Sequence, residues 1–194
     1  MGPHAGDPRD QLARLGSEVV RAGLVVGSGG NLSAREPGAE VCWVTASGAW
    51  LDRLSRTDFV RVNIGSGAGD TSPPPSSEVA LHLHTYRARP DINAVVHLHS
   101  QTVLLLDALG EPVRLVTTDH AYYVREVVRV GFHPPGSEAL AAATARAVAD
   151  GANCAILAHH GCVVLGDTVE LAHKRARNLE EAAQLTYRAL LLGR

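Results

Sequence analysis

The stretch Asn93-Ala-Val-Val-His-Leu-His99 is an apolar run of strand length that carries two histidines near its end. Side chains alternate between the two faces of a strand, so His97 and His99 are predicted to share one face, opposite Leu98. Two imidazoles that project together can hold one metal ion, and they suit Zn²⁺ or a similar borderline cation. The sequence therefore indicates a strand that carries part of a metal site.

A second pair of histidines, in His159-His160-Gly161, follows another apolar run and ends at a glycine turn. Either imidazole could complete a three-histidine set that leaves positions open for substrate, as catalytic metal sites require. His82 and His84 lie two apart on a predicted helix and diverge by about 200°, so they are not expected to share an ion. They are predicted to be surface or packing residues.

Working outward from this strand, hydrophobic periodicity predicts alternating strands and helices. Strands are predicted over 41–45, 59–64, 93–99, 127–132, 154–158 and 162–165, with a short one after the loop at 28–33. Helices are predicted over 10–23, 77–88, 101–108, 137–150 and 168–192, the second with a serine N-cap. This order predicts an α/β fold whose sheet is covered by helices on both faces.

The 194 residues fit a single domain, 1–194, with residues 1–9 predicted to be disordered and 65–75 to form a flexible Gly/Ser/Pro loop.

A net charge of -2 gives no electrostatic case for nucleic acid, and no apolar run reaches the roughly 18 residues of a membrane span. The first residues lack the apolar segment of a secretory signal, and the three cysteines have no CxxC spacing. Reduced thiols and a cytoplasmic location are expected.

Three segments combine short hydroxyl side chains with glycine or a helix start: 28–33, 45–48 and 75–78. Free N–H groups beside hydroxyls can bind an anion, although each segment taken singly is typical of an ordinary turn or cap. Glu78 has two interpretations, a first-turn carboxylate that the helix dipole favours or a general base beside a metal, and local sequence favours the first.

Together these segments resemble the class II aldolase/adducin family over about residues 10 to 192. The resemblance rests on SGGNLSAR (28–35), VTASG (44–48), PSSE (75–78), VVHLHS (95–100) and LAHHG (157–161), in family order. It implies a three-layer α/β/α fold with a central mixed, largely antiparallel sheet. It also implies a metal-dependent aldolase that cleaves a ketose or deoxyketose 1-phosphate, of the L-fuculose 1-phosphate kind, to dihydroxyacetone phosphate and an aldehyde through an enediolate.

The resemblance also assigns residues. The ligands of Zn²⁺, or of Mn²⁺, Co²⁺ or another divalent ion, fall on His97, His99 and His160, with His159 a neighbour. The base and additional carboxylate of the metal site fall on Glu78. The pocket for the substrate phosphate falls on Ser28, Asn31, Ser47, Gly48, Ser76 and Ser77.

The catalytic acid of the aldolases is a tyrosine that follows a histidine and reaches in from a neighbouring subunit, which implies a homotetramer with sites between subunits. Tyr122 and Tyr123 are the candidates here, but Ala121 interrupts the family's His-Tyr order, so the acid stays unassigned. The alternative is that both rings pack a subunit interface.

Three other functions occur on the same fold. The segment 122–140 looks more like the 3-oxo-tetronate 4-phosphate decarboxylase branch, which however tends to carry lysine in place of Ser77. The pentulose-phosphate 4-epimerase branch carries aspartate where this chain has Glu78. Adducin-like modules are non-catalytic and need no metal ligands, whereas all three histidines are present here. The enzyme interpretation, and within it the aldolase, is therefore favoured.

Overall fold

The computed structural model describes residues 6–194, and its centre is one seven-stranded sheet. The strands are β1 (Asn31–Ala34), β2 (Val41–Thr45), β3 (Phe59–Asn63), β4 (Ala94–Leu98), β5 (Val127–Val130), β6 (Cys154–Leu157) and β7 (Gly161–Gly166). Their spatial order is β3-β2-β1-β4-β7-β6-β5. Each neighbouring pair is antiparallel except β5 and β6, which are parallel. The prediction of a mixed, largely antiparallel sheet is confirmed.

Five helices cover the sheet: α1 (Pro8–Arg21), α2 (Val79–Ala88), α3 (Gln101–Leu109), α4 (Glu138–Val148) and α5 (Val169–Leu191). Two separate apolar cores lie on opposite faces of the sheet. One packs α1, α3 and α5 against alternate strand residues such as Val96 and Leu98. The other packs α2 and α4 against the intervening residues, such as Val95 and Val163. The predicted three-layer α/β/α arrangement is confirmed.

The first residues of α1 and α2 differ from the predicted ones. The N-terminal segment predicted to be disordered includes Pro8 and Arg9, which form the first turn of α1, and the Asp7 carboxylate caps that turn through the Arg9 N–H at 2.9 Å. Residues 1–5 lie outside the described residues. Helix α2 begins at Val79 rather than Ser77, and Glu78 occupies its N-cap position without a side-chain capping bond.

The segment 65–75 contains no helix or strand, and isolated bridges from Gly69 to Val62 and from Pro75 to Ala46 tie it to the sheet. Its flexibility stays a prediction. All three cysteines are buried and unbridged. Among the described residues, no helix is long and apolar enough to cross a membrane.

Candidate metal centre

His97 lies in the middle of the sheet, on β4 between β1 and β7, and its side chain is fully buried. Its Nδ1 lies 3.0 Å from the carbonyl oxygen of Cys162 on β7. Because a carbonyl can only accept, Nδ1 carries a hydrogen, and Nε2 is the ring nitrogen that faces the other side chains of the site. A second hydrogen-bonded ring nitrogen of this kind fixes the tautomer and orientation of metal-binding histidines.

His99 and His160 bring two more imidazoles close to His97. The Nε2 atoms of His97 and His99 are 3.1 Å apart, and the three ring centroids lie 4.8 to 5.2 Å from one another. The turn after β6 decides which residue of the second pair joins the cluster. His159 has a left-handed backbone (φ 57°) and an exposed ring, whereas the His160 ring faces the cluster. The structure therefore brings His97, His99 and His160 together.

Asp107 of α3 anchors the turn that carries His160. The buried Asp107 carboxylate accepts the His159 N–H at 2.8 Å and the Arg129 guanidinium at 2.6 Å. A left-handed backbone at a residue other than glycine is unfavourable, so such an anchor compensates for it. No sequence pattern indicates this contact, because it joins a helix to a turn 52 positions away.

Glu78 adds a carboxylate to the three imidazoles. Its Oε2 lies 3.1 Å from His97 Nε2 and accepts the Asn31 amide at 2.8 Å, while Oε1 lies 3.4 Å from His160 Nε2. One ligand atom from each of the four residues lies within 4.8 Å of the other three. Local sequence favoured a first-turn helix carboxylate, and that interpretation was wrong: Glu78 sits one residue before α2 and turns its side chain into the cluster.

The surroundings tune the charge of these groups. Burial, together with the neighbouring His97 and His160 rings, lowers the pKa of His99 to about 4. Burial likewise lowers the pKa of His160. For Glu78, burial raises the pKa, but His97, Asn31 and His160 outweigh burial and hold it below its usual range. Neutral His99 and His160 rings beside an ionised carboxylate are the protonation states that metal binding requires.

The donor set tests whether a divalent cation fits. Three imidazoles and one carboxylate suit zinc and similar ions. Glu78 Oε1 and His160 Nδ1 are buried and have no hydrogen-bond partner within the described part of the chain. Buried polar atoms without partners are costly, and a cation among the four side chains would relieve Glu78 Oε1. The residues therefore fit the ion, and the cluster is a candidate divalent-metal site.

Gly161 makes this cluster possible because it leaves no side chain between the rings. A Cβ at this position would lie 2.5 Å from the Leu98 carbonyl oxygen, 2.9 Å from the His99 ring and 3.0 Å from the His97 ring. We expect Gly161→Ala to displace both imidazoles and to lower the free energy of unfolding by about 1–3 kcal/mol through overpacking. Thermal unfolding and metal content measure the two effects.

Gly131→Ala is the matched control, because a Cβ there meets no atom within 4 Å and the backbone is not left-handed. That variant should behave as the wild type. A Gly161→Ala protein with unchanged melting temperature and ion content would contradict the close approach of the two rings.

A cavity of about 310 Å³ opens beside the cluster, lined by Glu78, His99 and His160. All six residues predicted to hold a phosphate also line it: Ser28, Asn31, Ser47, Gly48, Ser76 and Ser77. The three segments come together because the antiparallel pairing of β1 and β2 sets the start of β1 beside the end of β2, and the bridge from Ala46 to Pro75 adds the segment before α2. The described lining contains no lysine or arginine. Pro135, which no sequence motif indicated, also lines the cavity, from the loop before α4.

The two tyrosines lie elsewhere. They belong to a five-residue π-helical turn, His120–Val124, whose rings at Tyr122 and Tyr123 pack edge to face with centroids 5.0 Å apart. Tyr122 is 68% exposed, and neither ring is among the described residues that line the cavity. Within one chain, the structure does not bring the predicted acid to the metal cluster.

The chain is thus a three-layer α/β protein whose three histidines and one carboxylate form a candidate divalent-metal site beside a polar cavity. The sequence profile of the Class II Aldolase and Adducin N-terminal domain matches residues 10–187. The chain belongs to the class II aldolase/adducin family, and the resemblance inferred from its motifs is confirmed.

Individual relatives agree with this assignment. The chain is 34% identical to an L-fuculose phosphate aldolase of Methanocaldococcus jannaschii, over 95% of this chain and 98% of that protein. It is 32% identical to a 3-oxo-tetronate 4-phosphate decarboxylase of Escherichia coli, over 92% of this chain and 85% of that protein. The solved structure of an L-fuculose 1-phosphate aldolase superposes with a TM-score of 0.89 at 27% identity, over 98% of this chain and 89% of that one.

Proposed function

We propose that this protein is a metal-dependent aldolase that cleaves a ketose or deoxyketose 1-phosphate, similar to L-fuculose 1-phosphate, to dihydroxyacetone phosphate and an aldehyde. The observation that carries the proposal is the convergence of His97, His99, His160 and Glu78 at one end of a polar cavity. The likeness to L-fuculose phosphate aldolases supports the substrate class.

The three histidines would hold the divalent ion, zinc or a similar cation. When bound, such an ion supplies Lewis-acid chemistry, polarising a substrate carbonyl and stabilising negative charge on its oxygen. Glu78 then moves a proton at the carbon beside the carbonyl or on a hydroxyl. Two observations support that role: Glu78 lines the cavity, and its Oε1 has no hydrogen-bond partner within the described structure.

The substrate phosphate would bind at the opposite part of the cavity. Ser28, Ser47 and Ser77 offer short hydroxyls there, and Gly48 keeps the backbone accessible. Ser76 is partly engaged already, because its hydroxyl accepts the Glu78 N–H at 3.2 Å. Helix α2 begins beside these residues, and the positive end of its dipole favours an anion. Neutral donors and the helix dipole would together replace a lysine or arginine.

The acid that protonates the leaving aldehyde oxygen would come from Tyr122 or Tyr123 of a neighbouring subunit. The exposure of Tyr122 and its distance from the cavity of its own chain support this assignment. We therefore expect a homotetramer in solution, with a mass near four chains by light scattering coupled to gel filtration. A monomer with full activity would contradict an acid donated between subunits.

A decarboxylase acting on a 3-oxo-tetronate 4-phosphate is the second candidate, and the identity to the Escherichia coli decarboxylase favours it. Loss of carbon dioxide from a 3-oxo acid also leaves an enolate, so the same ion and pocket would serve. Ser77, where the decarboxylase branch tends to carry lysine, favours the aldolase. Epimerase activity is less favoured because Glu78 stands where epimerases carry aspartate.

A substrate screen distinguishes these activities. The metal-loaded protein is incubated with ketose and deoxyketose 1-phosphates, and dihydroxyacetone phosphate is measured with a coupled dehydrogenase, with and without chelator. We expect chelator-sensitive formation of dihydroxyacetone phosphate from at least one 1-phosphate. If an oxo-acid phosphate yields carbon dioxide and no sugar phosphate yields dihydroxyacetone phosphate, the aldolase proposal is rejected in favour of the decarboxylase.

A further inference from the structure

A buried chain of hydrogen bonds runs from Glu78 away from the cavity and into the core between β1 and α2. Asn31 connects Glu78 to His82 of α2, and His82 connects through Ser33 of β1 to Tyr86, one helical turn further on. The relative exposures of these five residues are between 0% and 7%. The distances from Glu78 outward are 2.8, 2.5, 2.7 and 2.8 Å.

The carboxylate fixes the direction of every hydrogen bond in this chain. Ionised Glu78 can only accept, so the Asn31 amide turns its NH₂ toward Oε2 and its oxygen toward His82. That oxygen in turn needs a donor, so His82 carries its hydrogen on Nε2 and accepts from the Ser33 hydroxyl at Nδ1. The Tyr86 hydroxyl then donates to Ser33. Asn31, His82 and Ser33 each donate one of these hydrogen bonds and accept another, and none of the four bonds joins two donors or two acceptors.

This series of hydrogen bonds contacts one carboxylate oxygen of Glu78 and leaves the other free. Oε2 receives the Asn31 hydrogen bond, while Oε1 has no hydrogen-bond partner in the described residues and faces His160. A network that served packing alone would have no reason to end at one carboxylate oxygen of a metal cluster. Burial also lowers the pKa of His82 to about 3, so the ring stays neutral, as its two hydrogen bonds require.

We propose that His82 is a positioning residue for Glu78. Acting through Asn31, it locks the orientation of the amide, which holds the Glu78 carboxylate against the three imidazoles with Oε1 free to bind an ion or accept a proton. The proposal rests on the proposed role of Glu78 in the metal site, but not on any particular substrate. Partners of metal ligands act in this manner elsewhere, and their loss costs about 10–100-fold in metal affinity or activity.

The test compares His82→Gln with His82→Met. Glutamine keeps an N–H donor near the position of Nε2, whereas methionine has a similar length and no donor. Zn²⁺ affinity is measured by competition with a chromogenic chelator, with thermal unfolding alongside. We expect His82→Met to bind zinc about 10–100-fold more weakly and His82→Gln to stay within about threefold of the wild type. His84→Met changes a residue of the same helix that takes no part in these hydrogen bonds, and its zinc affinity should equal that of the wild type.

Two results would overturn the proposal: wild-type affinity in His82→Met, or an equal loss in both His82 variants, which would mean that only packing matters. If His82→Met does not fold, Ser33→Ala removes a single oxygen and carries the test, with weaker zinc binding expected. In the Asn31→Ala background neither change should weaken binding further, because His82 acts only through Asn31.

A spectroscopic measurement tests the chain in the metal-free protein. Long-range proton–nitrogen correlation spectra of protein labelled with ¹⁵N-histidine report the tautomer of each ring, and the signal missing from His82→Gln identifies His82. We expect a neutral ring with its hydrogen on Nε2; a hydrogen on Nδ1, or a charged ring, would overturn the proposal. Neither readout uses substrate, so a failed aldolase assay with these results intact would reject the proposed reaction alone.

Discussion

Replacing His97 with alanine is expected to leave the protein without its divalent ion. The His97 ring is fully buried at the centre of the sheet, and its Nε2 lies within 3.1 Å of both His99 Nε2 and Glu78 Oε2. Its loss leaves two of the three proposed histidine ligands, one fewer than the three protein ligands of a catalytic zinc site. Metal content by elemental analysis should fall from about one ion per chain to about a tenth or less.

His159→Asn is the control for this experiment. His159 is adjacent to a proposed ligand, yet its ring is exposed, and asparagine tolerates the left-handed backbone found there. This variant should keep its ion. Unchanged metal content in a folded His97→Ala protein would refute the ligand assignment, and circular dichroism would establish that the variant is folded.

Replacing Glu78 with glutamine is expected to retain the ion under metal-replete conditions but to lose turnover. The three imidazoles remain, and the glutamine oxygen can still accept the Asn31 amide hydrogen bond, so the local geometry is kept. The neutral amide binds the ion more weakly and cannot take up a proton. General acid–base catalysis typically contributes 10²–10⁴-fold, so kcat for the cleaved 1-phosphate should fall by about that factor.

Glu138→Gln makes the same chemical change at an exposed residue of α4 outside the cavity, where the carboxylate pairs with His84 at 2.9 Å. Its kcat should equal that of the wild type. Undiminished turnover in Glu78→Gln with the ion bound would remove Glu78 from proton transfer. The affinity lost in Glu78→Gln also sets the upper limit for the loss expected in His82→Met, because His82 acts only on this carboxylate.

The clustering of the candidate metal ligands could be predicted in part from the sequence, because local geometry determines much of their arrangement. Alternation along one strand places His97 and His99 on the same face whatever the rest of the chain does. The choice between His159 and His160 required the family resemblance, because it depends on a left-handed residue at the turn. The layers of the fold followed from the order of apolar runs, while the ends of helices shifted by one or two residues.

The remaining parts of the site depend on tertiary contacts that periodicity does not encode. His82 was predicted to be a surface or packing residue, and only the fold shows it buried and hydrogen-bonded to Asn31 and Ser33 of β1. Glu78 was interpreted from its place at a helix start, whereas its direction is set by Asn31 and the imidazoles. The π-helical turn at 120–124 has no sequence signal of its own, and within one chain Tyr122 does not line the cavity.

The pairing of β4 with β7 makes ion binding dependent on the register of these two strands. His97 lies opposite Val163, and its neighbours Val96 and Leu98 face the other core. A slip of β4 by one position would turn His97 toward the α1, α3 and α5 side and carry it away from His160. Only the correctly aligned sheet can close the cluster, so ion binding is expected to stabilise that alignment over its slipped competitors during refolding.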